Sequence, residues 1–145
     1  MKSTSGNLER LDVVSLWALF VSFERRLASE LRELGLTVAA FRLIGEVMNS
    51  PDGIRQAELA RRLGVRAPTV SSAIGRLEAR GFLYRLADPT DPRARRVHLA
   101  PEAPLSAGVD VLLRMDTQLF GDLPDGERLQ ARELMQKLSN SLEGI

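Results

Sequence analysis

Apolar residues at helical spacing, punctuated by glycine, mark out the middle of this chain. Leu59, Ala60 and Leu63 share one face of a helix predicted over Gln56 to Leu63, and Gly64 supplies a backbone able to turn left-handed and end it. A second helix is predicted from near Pro68, where the ring costs nothing because a first-turn N–H has no intrahelical partner. Val70, Ile74 and Leu77 form its apolar stripe, and Gly81 closes it. Thr69, Ser72, Gly75, Arg76 and Ala79 fall opposite or beside that stripe, so the outer face is small, hydroxylated and basic. Phe82-Leu83-Tyr84-Arg85-Leu86 and Arg96-Val97-His98-Leu99 then read as two strands around a polar tip, ADPTDPRAR. Two short helices joined by a tight turn and followed by a basic hairpin predict a winged helix-turn-helix.

The flanks are more apolar than a monomer of this size needs. A long helix is expected over Asn7 to Leu34, with Leu8, Leu11, Ser15, Leu19, Phe23, Leu27 and Leu31 in one stripe and Val13, Leu16, Trp17 and Phe20 round the side. Such a helix must be covered from more than one direction, and a partner subunit is the natural cover. Gly35 ends it, and Thr37 is placed to cap the next helix, whose buried face is Val38, Phe41, Ile44, Val47 and Met48. After the dense turn Asn49 to Gly53, Ile54 is placed to add a short strand beside the wing. Beyond a break at Ala100 to Pro104, one helix is predicted over Leu105 to Phe120. A last one follows through Leu129, Leu134, Leu138 and Leu142, capped by Asp125 or a neighbour. The expected fold is mainly α with a small β-wing. It forms one domain over 1–145, with a winged helix-turn-helix over 37–100 between dimerisation helices over 7–34 and 102–145.

Charge sharpens this picture. The chain carries a net +1, yet the segment 55–99 holds ten arginines against Glu58, Glu78, Asp88 and Asp91, a local +6, and leaves −5 elsewhere. Positive charge concentrated on one segment is the electrostatic footprint of a nucleic-acid-binding face. Zero cysteines exclude disulfides and thiolate chemistry, and a single histidine, His98, excludes a multi-histidine metal site within one chain. The sequence has no phosphate-binding glycine loop, dinucleotide fingerprint or Ser/His/Asp constellation, so neither enzyme activity nor a cofactor or metal is expected. The opening MKSTSGNLERLD lacks the apolar run of a secretory leader, and the apolar cluster Val13 to Phe23 is too short to span a bilayer. A cytoplasmic location is the expectation.

QAELARRLGV, PTVSSAIGRLEARGFLYR and DPTDPRARRVHL together resemble the MarR family of bacterial transcription regulators. The resemblance is strongest over Arg55 to Leu99, and its most telling parts are LEARGFLYR and the Asp-x-Arg wing tip formed by Asp91 and Arg93. It implies a homodimeric winged helix binding palindromic double-stranded operators, usually as a repressor relieved by a small aromatic or phenolic ligand. By position it implies that Pro68 to Arg76 is the recognition helix, with Thr69, Ser71, Ser72 and Arg76 reaching phosphates or base edges. Arg93 would enter the minor groove with Asp91 orienting its guanidinium, Arg95 and Arg96 would meet phosphates, and Gln56 would touch the DNA backbone. A ligand pocket between the dimerisation helices and the DNA-binding part would draw on Trp17, Phe20, Phe41 and Ile44, residues that would equally serve as core or dimer seam. The pattern departs at Ser72, where a longer polar or basic side chain is usual. It departs again at Ala67, in place of a hydroxyl cap, and at Ala100 and Ala103 after the wing. Two other readings stand beside this one: a winged-helix module that binds protein, and an architectural DNA binder of low specificity.

Overall fold

Local periodicity translates closely into structure. The computed structural model describes residues 11–145. Helices α1 (Asp12–Arg32) and α2 (Val38–Met48) lead into β1 (Ile54–Arg55). Then come α3 (Gln56–Leu63), α4 (Ala67–Ala79), β2 (Leu83–Ala87), β3 (Arg95–Leu99), α5 (Ser106–Phe120) and α6 (Asp125–Glu143). Residues 7–10 of the expected first helix, Leu8 among them, lie outside the described residues, as does most of the opening segment. Packing divides the chain into two compact units, one running to Gly108 and the other from Val109 to Ile145.

In the first unit, the predicted stripes of α3 and α4 meet the sheet. Leu59 and Ala60 of α3, Val70, Ile74 and Leu77 of α4, and Leu43, Ile44 and Val47 of α2 are all buried. They share the core with Ile54, Phe82, Leu83 and Val97. The sheet runs β1-β3-β2, antiparallel throughout, with Ile54 opposite Val97 and Ala87 opposite Arg95. Strand β1 is thus the short addition that Ile54 suggested, and it fastens the wing to the segment that opens α3. Gly35, Gly64 and Gly81 all adopt positive φ where they were expected to end helices.

The caps mix agreement with correction. Thr37 Oγ1 accepts from the Ala40 N–H at 3.0 Å, the expected cap of α2. Thr37→Ala should therefore cost about 1 kcal/mol of unfolding free energy, measured by urea titration. At α4 the N-cap is Arg66 rather than Ala67, with no side-chain cap bond. Ala67 and Pro68 already lie in the first helical turn, so the missing hydroxyl belongs one position earlier. At α6 the N-cap is Pro124, and Asp125 is instead the first helical residue, where its charge favours the helix dipole without capping a backbone N–H.

Helix α1 buries only Leu27 and Leu31, near its C-terminal end. Every residue from Leu11 to Phe23 is exposed, Trp17 at 70% and Phe20 at 55%. In the second unit α6 buries no residue at all, leaving Leu129, Leu134, Met135, Leu138 and Leu142 at the surface. Two long apolar helical surfaces are therefore left exposed among the described residues, as the flanks predicted. Among the described residues no helix is long and apolar enough to cross a membrane.

Candidate nucleic-acid interface

Helix α4 buries one stripe and presents the other. Pro68, Thr69, Ser72 and Arg76 are exposed, and Ser71 is half-buried. The ten arginines of the segment 55–99 sort into two groups by their partners. Six are engaged: Arg61 and Arg62 bind Glu58, Arg55 and Arg96 bind Asp88, Arg85 binds Glu78, and Arg80 binds backbone carbonyls. The other four, Arg66, Arg76, Arg93 and Arg95, are exposed, and their side chains have no hydrogen-bond or acid partner among the described residues. Arg66 and Arg76 flank the outer face of α4, while Arg93 and Arg95 lie on the wing. A cation held by no acid keeps its full field for an incoming polyanion.

The wing owes its shape to one carboxylate that the sequence reading left among the acids. The Asp88 side chain is fully buried, at 0% exposure. It accepts from Arg55 Nε at 2.9 Å, Arg96 Nε at 3.2 Å, the Thr90 hydroxyl at 2.7 Å and the backbone N–H groups of Thr90 and Asp91 at 2.9 and 3.2 Å. The Thr90 hydroxyl and N–H, followed by the Arg55 guanidinium, hold the Asp88 carboxyl well below the usual carboxylate range. The backbone N–H of Asp88 in turn donates to Ala94 O at 3.0 Å, closing the loop. Arg55 also reaches Thr90 Oγ1 at 2.8 Å, so β1 is tied directly to the wing.

This arrangement redistributes the residues expected on the DNA side. Arg96 points inward: besides Asp88 it donates to Gly53 O at 3.1 Å, which makes it a strut beneath the wing rather than an outlying cation. Asp91 holds the main chain of the tip, its Oδ1 accepting from the Arg93 N–H at 3.0 Å. Its contact is with the backbone of Arg93, so the guanidinium is positioned only through the turn. Gln56 and Ser71 converge on Arg85, whose Nη1 donates to Ser71 Oγ at 3.1 Å and to Gln56 Oε1 at 3.4 Å while Nε donates to Glu78 at 2.6 Å. One strand arginine thereby brackets the start of α3, two turns of α4, and β2. On α3, hydrogen bonds from Arg61 and then Arg62 lower the Glu58 carboxyl to about 2.

Of the four residues expected around a ligand, Ile44 is in the core, Phe41 is half-buried, and Trp17 and Phe20 lie on the exposed length of α1. They do not gather around the cavity of about 420 Å³ that opens between the start of α2 and the side of α4. That cavity is lined by apolar residues including Leu36, Leu43 and Val70, and by Arg42, Arg76 and Arg80. No cluster of three or more histidine and carboxylate side chains that could hold a metal ion occurs among the described residues.

The geometry has counterparts among known proteins. The MarR family model matches residues 34–94, from the end of α1 to the wing tip. A Thauera aromatica protein assigned to transcriptional regulation of the hcr operon is 26% identical over 106 residues, or 72% of this chain. The match spans 63% of that relative's own length. The crystal structure of MarR superposes with a TM-score of 0.75 at 25% identity, over 93% of this chain and 100% of MarR. MepR of S. aureus, solved in complex with DNA, superposes with a TM-score of 0.71 at 21% identity, over 89% of this chain and 96% of MepR, a likeness of fold.

Proposed function

We propose that this chain, which belongs to the MarR family, is a homodimeric, sequence-specific DNA-binding transcriptional regulator that works in the bacterial cytoplasm. One observation carries the reading: within the segment 55–99, the arginines whose side chains have neither an acid nor a hydrogen-bond partner among the described residues are those on the outer rim of α4 and on the wing, while the other six are engaged. Helix α4 enters the major groove with Thr69, Ser72 and Arg76 toward phosphates and base edges. Pro68 sets its first turn, and Ser71 is steadied by Arg85. Arg93 reaches into the adjacent minor groove, where arginine is favoured by the concentrated negative potential, and Arg95 meets phosphate. Arg96, Asp91 and Gln56 serve the interface by holding its frame. MepR, solved on DNA, shows that this fold can grip a duplex.

The exposed apolar lengths of α1 and of the second unit supply the dimer seam, and Trp17 and Phe20 belong to it. Two copies then offer two recognition helices to successive major grooves, so the target is palindromic, with half-sites about 34–36 Å apart. Repression is relieved by a small aromatic or phenolic acid. A cavity lined by apolar residues together with arginines suits such a ligand, whose ring would lie against Leu43 and Val70 with its carboxylate toward Arg42 or Arg76.

Incubating the purified protein with fragmented genomic DNA and sequencing what it retains tests the reading. Enrichment of a short palindrome near promoters is the expected result. Salt-sensitive retention of all fragments alike would favour an architectural binder, and no retention at moderate salt would sink the DNA reading in favour of a protein-binding module. On the enriched site, Arg93→Ala should weaken binding about tenfold and reduce the salt slope by about one, with the dimer unchanged by sedimentation. Unchanged affinity would remove Arg93 from the minor groove.

A further inference from the structure

Arg80 follows the last residue of the recognition helix and stands at its C-cap. Its guanidinium reaches back to the end of a different helix. Nη1 donates to Gly35 O at 2.7 Å and Nη2 to Leu34 O at 2.7 Å, two carbonyls just past the C-terminus of α1. Carbonyls just past a helix C-terminus have no intrahelical donor and lie close to the negative end of the helix dipole, so a planar cation with two parallel N–H groups suits both. The same guanidinium sits over the ring of the buried Phe82, 5.4 Å from its centroid, which fixes its plane. Beside this contact the seam between α2 and α4 is open. The cavity of about 420 Å³ is bordered by Gly35, Leu36, Leu77 and Arg80, so side-chain packing does not fill the space next to the guanidinium. Gly35, at φ +65°, turns the chain so that both carbonyls face one donor.

We infer that Arg80 is a positioning residue that sets the angle between the long helix α1 and the recognition helix α4, and through it the half-site spacing the protein accepts. The spacing clause rests on the dimeric-regulator reading; the angle between the helices does not. Across a dimer seam built on α1, a small rotation of α4 about its own base is multiplied over the distance to the other copy. A latch at that base is therefore felt as spacing preference rather than as affinity for one half-site. Lysine at position 80 could satisfy one carbonyl but not both in a fixed plane.

The absence of cysteine makes the measurement direct, because Ser29→Cys on α1 and Ser72→Cys on α4, both at exposed positions, give a single labelled pair. With nitroxides at both sites, and labelled chains diluted into unlabelled protein, pulsed dipolar spectroscopy reads the α1–α4 distance within one chain without DNA. The expected result is a narrow distribution for the parent, a broad one for Arg80→Ala and an intermediate one for Arg80→Lys. Equal widths in all three would overturn the latch. On unlabelled protein, the enriched palindrome with one base pair added or removed at its centre should bind the parent about tenfold more weakly, a penalty like that of a mismatched pair, and Arg80→Ala should flatten that difference. Val47→Ala, a destabilised core variant away from the latch, should keep the spacing preference. If Val47→Ala flattened it equally, the effect would be general loosening and the assignment would fall. A broad distribution in Arg80→Ala with no palindrome bound by the parent would sustain the latch and refute the regulator reading.

Discussion

Replacing Asp88 by asparagine should undo the wing while leaving the helices folded. The carboxylate is the common acceptor for two guanidinium groups, one hydroxyl and two backbone N–H groups, and asparagine offers them one oxygen and turns an amide N–H toward the rest. Arg55 and Arg96 would be left as like charges around a buried neutral group, the arrangement in which breaking a buried pair costs most. A drop in melting temperature on the order of 10 °C is expected, with DNA affinity falling by more than the Arg93→Ala variant loses. Amide exchange should locate the damage in β2, β3 and the loop between them, sparing α4. Uniform loss of protection would show instead that Asp88 supports the whole unit.

Acid should imitate this variant. Because the folded-state carboxyl titrates below its ordinary value of 3.8, its contribution is fully present above that value and is lost as pH falls further. The stability gap between the parent and Asp88→Asn should therefore be constant from neutral pH down to about 5 and close below about 4. Glu58 loses its own contribution in the same acid range, but it does so in both proteins and cancels from the difference. A gap that persists unchanged below pH 3 would mean that the carboxylate charge is not what the wing uses.

Gly53→Ala is the second large effect. Gly53 has φ +80°, a conformation that costs an L-residue roughly 1–2 kcal/mol. The added methyl would also come within 2.5 Å of His98 Cε1 and 2.9 Å of Arg96 Cγ. Neither neighbour is at leisure to move. His98 is stacked on Tyr84, with ring centroids 5.1 Å apart and planes 15° apart, and Arg96 is held by Asp88 and by the Gly53 carbonyl. Strain and crowding together should cost about 3 kcal/mol by denaturant titration. Adding His98→Ala should return part of the crowding cost but none of the backbone cost. Full recovery in the double variant would contradict the φ argument.

Both sites lay beyond the reach of sequence reading, and for the same reason. Helix α3 could be placed to the residue because Leu59, Ala60 and Leu63 are neighbours on one turn-and-a-half of chain and Gly64 stops it. The wing strands shifted by one residue at their ends, an ordinary fraying of boundaries. Asp88, by contrast, meets Arg55 across 33 residues, and Arg85 meets Gln56 across 29. No periodicity encodes which of ten arginines will find an acid, so from the sequence Arg96 reads as an outward cation and Asp88 as one more acid of the polar tip. The Pro-rich tip with two aspartates did announce a tight loop. Its division of labour, Asp88 gathering the base and Asp91 the tip, appears only once β1 is laid beside β3.

The adjacent pair Arg95 and Arg96 carries a last consequence. One is exposed and the other turned inward because neighbouring residues of a strand face opposite ways, and the pairing of Ala87 with Arg95 fixes which is which. A one-residue slip of β3 against β2, placing Arg96 rather than Arg95 opposite Ala87, would exchange the two: the inward guanidinium would turn to solvent and its neighbour would be asked to meet the carboxylate. Surface loops ordinarily drift in length during evolution. This one is held at its base by Asp88 and by the pairing of Ala87 with Arg95, so a change in its length has to be absorbed within the tip without slipping that register.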